Sequence, residues 1–368
     1  MAPYVHELGA WPAFEWDSAA LAPQLNAVRL LQGQLLGRMY ALGFTLRSEA
    51  DLTTRSLDVL RTSEIEGQVL DPEQVRSSLA RRLGMDVSGA PPADRDVEGV
   101  VEMLLDATQL AQEPLTAERL YGWHAALFPT GRSGMLKVLV GRWRDDSTGA
   151  MQVVSGGLGR ERVHFQAPAA KVLKAEMNRF LKWFNGEHTL DPLLKAGVAH
   201  LWFVTVHPFE DGNGRIARAV ADMQLARADG TPQRFYSMSA QIKTERKQYY
   251  TMLERCQRGG LDLTTWLEWF LGCLHRSLLS AEKTLASVLD KHRFWNTHAR
   301  TTMNARQVKV LTLFLDGFEG NLTSSKWALL TKSSPDSALR DMLDLVEKKV
   351  LKKAASGGRS THYTLVNK

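Results

Sequence analysis

Apolar residues recur three or four positions apart along most of this 368-residue chain, the spacing of a helix that buries one face. In 18–43 they are Leu21, Leu25, Val28, Leu31, Leu35 and Leu36; in 49–70 they are Leu52, Leu57, Val59 and Leu60. The pattern predicts further helices over 97–112, 116–128, 168–186 and 192–206, the last strongly apolar. Another begins at Gly212 and turns Ala219, Val220 and Met223 inward. Helical spacing continues through a pair at 244–274, a long segment at 277–300, and shorter ones at 307–318, 324–331 and 336–348. Thr116 and Ser334 are expected N-caps, with Pro335 at a first helical position. Gly84, Gly89, Pro91 and Pro92 mark 84–96 as a loop or linker.

Two stretches break the helical pattern. Over 141–168, short β-branched or aromatic runs flank a Gly-rich connection around Ser155 and Gly156, which predicts a hairpin. A second hairpin is expected where 350–353 and 361–366 flank 356–360. The fold class is therefore mainly α. Its divisions are an N-terminal helical region at 1–48, a helix and linker at 49–96, a core at 97–300 and a separate module at 301–368. Composition is that of a soluble globular protein, 44% hydrophobic and 23% charged. No apolar run approaches the roughly 20 residues that span a bilayer, and the N-terminus lacks a basic, then apolar, leader pattern. Cys256 and Cys273 lack metal-ligand spacing and suit a reducing cytoplasm. Of the formal charge of +6, most sits at the end: residues 320–368 hold nine Lys/Arg against four Asp/Glu.

Candidate chemistry concentrates in His207-Pro208-Phe209-Glu210-Asp211-Gly212-Asn213-Gly214-Arg215-Ile216-Ala217-Arg218. His207 can act as a general base near neutral pH. Asp211 can hold Mg²⁺ (or Mn²⁺), which takes one or two carboxylates and completes its shell with phosphate and water. Gly212, Asn213 and Gly214 free backbone N–H groups to face an anion where a helix starts. Arg215 and Arg218, three apart, share a helix face and reach one phosphate chain. An EF-hand loop fails because Arg215 and Ile216 occupy its fifth and sixth positions. The G-x-G-x-x-A match from Gly212 to Ala217 lacks the strand–helix alternation of a dinucleotide fold.

In sequence, residues 207–218 resemble the Fic-domain signature H-P-F-x-D/E-G-N-G-R-x-x-R at every defined position. The resemblance implies transfer of AMP from ATP to a Ser, Thr or Tyr hydroxyl of a target protein or of the chain itself. Thr62-Ser-Glu-Ile-Glu66-Gly67 is similar to the family's inhibitory helix, S/T-x-x-x-E-G/N, which implies that Glu66 pairs with Arg218 and restrains it. The hairpin at 141–168 would then be the flap that registers the target's hydroxyl segment by strand addition, with Ser155 and Gly156 near the phosphates and His164 packing. Tyr249, Tyr250 and Gln257 fall where the family holds adenosine. The tail resembles a winged helix-turn-helix, with duplex DNA or a protein interface as its expected partner. A homodimer and, as other activities, an AMP-removing hydrolase using Glu66 or a DNA-binding regulator stay open.

Overall fold

The computed structural model describes residues 4–85, 91–147, 149–156, 162–187, 189–315, 321–354 and 362–366. The chain forms two compact units, Met1–Glu282 and Lys283–Lys368. Helices α1 (Ser18–Tyr40), α2 (Phe44–Ile65), α3 (Pro72–Arg82), α4 (Arg95–Gln109) and α5 (Ala117–Leu127) come first. Two small hairpins follow: β1 (Arg132–Ser133) with β2 (Leu136–Lys137), then β3 (Gln152–Ser155) with β4 (Arg162–Gln166). Next are α6 (Ala170–Asn185), α7 (Pro192–Val206), α8 (Asn213–Asp229), α9 (Met238–Thr244), α10 (Arg246–Gln257) and α11 (Thr264–Thr297). Among the described residues no helix is long and apolar enough to cross a membrane.

The centre of the first unit is α7 against α8. Asp191 accepts from the Leu193 amide at 2.8 Å and Pro192 opens α7, a cap and first-turn pair that fixes its start. From Leu193 to Val206 every α7 residue but the opening proline is buried, so this helix is enclosed on all sides, as its apolar sequence requires. The chain leaves it at His207 in the left-handed region (φ 50°, ψ 59°) and enters α8 through Gly212 at φ 78°. A side chain at Gly212 would also press on the Phe128 ring.

Helix α2 is held to this centre largely by polar groups. Asp58 accepts from Ser237 Oγ, and Asp51 accepts from Arg55 Nε at 2.8 Å and from the Arg234 amide at 2.6 Å. Arg234 in turn pairs with Asp229 at 2.8 Å and Asp222 at 3.2 Å. Burying the Asp51, Arg55, Asp222, Asp229 and Arg234 charges is tolerable because each meets a partner of opposite charge, while Asp58 meets the neutral Ser237 hydroxyl. Lys243 Nζ and Arg246 Nε donate to the carbonyls of Glu64 and Ile65 at 3.1 and 2.9 Å, satisfying the open end of α2 with cations.

Several elements differ from expectation. Helix α3 lies where no element was expected, and the hairpin of β1 and β2 is new. The helical pair foreseen at 244–274 is found as α10 and the start of α11, but the Trp-bearing helix runs on without a break into the segment foreseen at 277–300, and α9 lies where no element was expected. The boundary between the units falls at 282–283 rather than 300–301.

In the second unit, α12 (Ala305–Leu315), α13 (Ser324–Thr331), α14 (Pro335–Glu347), β5 (Leu351–Lys353) and β6 (Tyr363–Leu365) enclose Trp327, Met342, Leu345 and Val350. Ser334 caps α14 by accepting from the Ser337 amide at 3.3 Å, with Pro335 first in the helix. The strands pair antiparallel, while the turn expected at 356–360 lies outside the described residues. Leu339 and Leu343 are exposed on α14 beside Arg340.

Candidate active site

The signature residues converge at the junction of α7 and α8. His207 Nδ1 lies 3.2 Å from the Val204 carbonyl, so it carries the proton and leaves Nε2 with a lone pair. Burial drives the imidazole down to about 4; the Arg144 cation adds to that, whereas the Val204 carbonyl, Asp211 and Glu66 work against it. His207 is therefore neutral at physiological pH, the form a general base needs.

The Asn213 side chain holds the signature loop rather than an anion. Its Oδ1 accepts from the Phe209 amide at 2.9 Å and its Nδ2 donates to the Phe209 carbonyl at 2.8 Å. Both ends of the amide are spent on holding the loop, so only its backbone N–H can serve an anion. Phe209 is fully buried and stacks on His124, centroids 4.2 Å apart.

Asp211 Oδ1 accepts from the Gly212 amide at 2.6 Å and Oδ2 accepts from Ser133 Oγ on β1. Glu210, which had no expected role, accepts from the Leu139 amide at 2.7 Å and fixes the strand-like segment after β2. Among the described residues no three His, Cys, Asp or Glu side chains gather as a metal cage. A single oriented carboxylate nevertheless fits Mg²⁺, whose remaining ligands are ordinarily phosphate and water.

The arginines meet α2. Arg218, 2% exposed, donates from Nε to Thr62 Oγ1 at 2.8 Å and from Nη2 to the Thr62 carbonyl at 3.0 Å and to Glu66 Oε1 at 2.7 Å. Although burial opposes its charge, Glu66 and the neighbouring tyrosines raise its basicity. Its Nη1 is buried without a partner among the described residues, as is Nε of Arg215. Arg215 Nη1 donates to Gln68 Oε1 at 3.0 Å, and its guanidinium lies over the Phe128 ring. Gly67, at φ 85°, closes the end of α2 and brings Gln68 back toward the site. Glu66 sits in the anion seat at the first turn of α8: a Cβ added at Gly214 would lie 2.2 Å from Glu66 Oε1.

In the hairpin, Val153 pairs with Phe165 and Ser155 with Arg162, with an irregularity after Val153. His164 is a polar link rather than a packing residue. Its Nδ1 donates to Glu254 Oε2 at 2.8 Å and its Nε2 accepts from Ser155 Oγ at 2.6 Å. Arg162 and Arg258 add contacts between the hairpin and α10. The three residues expected near adenosine separate. Tyr249 is 1% exposed and bonded to His200 at 2.9 Å, and Gln257 is 5% exposed beside Thr205, so both are core. Tyr250 is 38% exposed and open to a ligand.

Residues 114–225 match the Fic/DOC family, and residues 4–85 match a domain of unknown function, DUF4172. Proteins named protein adenylyltransferase Fic from Drosophila sechellia and Drosophila melanogaster are 36% identical over 104 residues, 28% of this chain and 20% of theirs. The chain thus matches about a fifth of the length of these relatives. The crystal structure of a Fic family protein from Desulfovibrio desulfuricans G20 is similar, with TM-score 0.52, 20% identity, and coverage of 96% of this chain and 98% of that one. A Fic domain containing signaling protein from Bacteroides thetaiotaomicron VPI-5482 has TM-score 0.51 and 20% identity, covering 71% of this chain and 98% of that one.

Proposed function

From the premise that this chain carries a Fic domain, we propose that it is a protein adenylyltransferase held in check by its own helix α2. The observation that carries this reading is the Glu66 carboxylate lodged between Gly214 and Arg218, on the residues that would grip a nucleotide's phosphates. In the proposed reaction a target hydroxyl oxygen bonds to the α-phosphorus of ATP. The bond to the β-phosphate bridging oxygen breaks, pyrophosphate leaves, and the hydroxyl proton passes to His207 Nε2. Such proton transfer contributes typically ~10²–10⁴-fold.

Backbone N–H groups of Asn213 and Gly214 serve the developing charge, that of Gly212 being held by Asp211, and Arg215 and Arg218 take the outer phosphates. Asp211 would hold Mg²⁺ or Mn²⁺, which supplies charge neutralisation on the phosphates when bound. Tyr250 stacks or hydrogen-bonds at the adenosine end, and Ser155 and Gly156 border the phosphates from the flap. The edge of β3 and β4 offers main-chain pairing to the target segment. The test is a pair of labelling reactions with Glu66→Gly, using ATP radiolabelled at either the α- or the γ-phosphorus. Protein labelled only by the first supports AMP transfer; protein labelled by the second is a phosphotransferase product and overturns it.

A further inference from the structure

Arg144 lies outside the signature, yet it bonds the backbone of two of its residues. It is 3% exposed. Its amide donates to the Pro208 carbonyl at 2.9 Å and its Nε to the His207 carbonyl at 2.8 Å. Nη2 donates to the carbonyl of Pro168, just past β4, and Nη1 reaches Asp146 Oδ1 at 3.2 Å. Asp146 in turn accepts from the Ala170 amide at 2.8 Å, at the start of α6. One planar guanidinium therefore ties three things together: the backbone of His207, the trailing end of the flap and the segment that follows it.

Two features call for such a tie. His207 is a non-glycine residue at φ 50°, a conformation that persists only when its surroundings impose it. A base and an acceptor hydroxyl must also be held in mutual register, since a displacement of about 1 Å can cost roughly a hundredfold in rate. The fork is what makes the link: arginine's rigid donors reach separate carbonyls, which a lysine ammonium cannot do in the same directions. A neutral donor could bond these carbonyls as well, so the buried charge needs its own reason. Around His207, Asp211 and Glu66 favour the protonated ring, and Arg144 is the cation that opposes them.

We infer that Arg144 is a positioning residue, which holds His207 in its left-handed backbone and fixes the flap to it. The inference rests on His207 being the base of the proposed transfer. Its test compares Arg144→Gln and Arg144→Lys, each in the full-length Glu66→Gly protein, with thermal unfolding as a check that each folds. In Arg144→Gln, kcat falls by roughly tens- to a hundredfold while KM for ATP stays the same. The acid limb of the kcat profile also moves to higher pH, because the opposing cation is gone. Arg144→Lys restores the acid limb but not kcat. A second readout needs no activity: NMR titration of the His207 ring in the metal-free protein, whose midpoint rises in Arg144→Gln. An unchanged kcat, or an unmoved acid limb and midpoint, overturns the inference. If Glu66→Gly transfers nothing, the transferase reading fails, and the titration still decides what Arg144 does to His207.

Discussion

Glu66 Oε1 lies 2.7 Å from Nη2 of Arg218 and stands where a Cβ on Gly214 would be. The carboxylate thus fills the first turn of α8 as an anion would. Gly214→Ala puts a methyl group into that seat. In a helix this exchange favours stability by up to about 1 kcal/mol, so in the Glu66→Gly background, where the carboxylate no longer stands in the way, the melting temperature holds or rises. Transfer falls all the same: Gly214→Ala combined with Glu66→Gly is at least about tenfold slower than Glu66→Gly alone, on the scale of a lost charge-stabilising contact. Paired melting curves and AMP-transfer rates check both halves.

The proposed restraint has a second point of contact. Gln68 accepts from Arg215 at 3.0 Å, just past the turn at Gly67. A neutral acceptor on a charged donor contributes roughly 1.5–3 kcal/mol, though this one is only partly buried. Gln68→Ala raises transfer by a few-fold, and adds little on top of Glu66→Gly. An equal gain in both backgrounds contradicts a shared restraint.

The acid limb of activity follows from His207. Burial holds its ring at about 4, and only the protonated form is unable to accept a proton. Activity therefore stays level from pH 8 to about pH 5 and falls as the pH nears 4. A decline that already centres near pH 6.5, the ordinary histidine value, contradicts this assignment.

Asp58 sets an opposite dependence on stability. Burial, and then Asp222, raise its carboxyl from 3.8 to about 7. The folded state binds this proton more tightly than the unfolded chain, so the stability it contributes is full below the unfolded value and lost as pH rises through 7. Through this group the melting temperature of the wild type falls between about pH 4 and pH 7 and levels off above that, and Asp58→Asn, which mimics the protonated form, falls less over the same range. Parallel curves for the two proteins contradict it.

What the sequence made legible was local. The signature, the enclosed helix α7 and the caps at Thr116 and Ser334 follow from adjacent residues or fixed spacing, whereas the pairing of Glu66 with Arg218 was implied only by the family resemblance. Contacts between distant segments were not legible: Ser133 with Asp211, Leu139 with Glu210, Arg144 with His207, and Gln68 with Arg215. Nothing in a single chain's spacing announces them. Strands of two residues, as in β1 and β2, are too short to show a period. Helix α3 is different, because Asp71-Pro72 is a cap and first-turn signal that could have been read. Tyr249 and Gln257 went astray because aromatic and amide side chains at helical spacing serve a core as readily as a ligand. The burial of Asp51, Arg55 and Asp58 was hidden by their polarity: they anchor α2 through hydrogen bonds to Arg234, Thr108 and Ser237 that its apolar pattern does not reveal.

The central claim is that Glu66 restrains a competent transferase, and the direct measurement follows AMP transfer from ATP by wild type, Glu66→Gly and Glu66→Gly/His207→Ala. One charge-assisted contact contributes roughly 1.5–3 kcal/mol, so its removal raises the rate about ten- to a hundredfold. The gain vanishes in the double variant. Transfer that is unchanged in Glu66→Gly, with folding intact, contradicts the restraint, and AMP removal lost in that variant assigns Glu66 to hydrolysis instead.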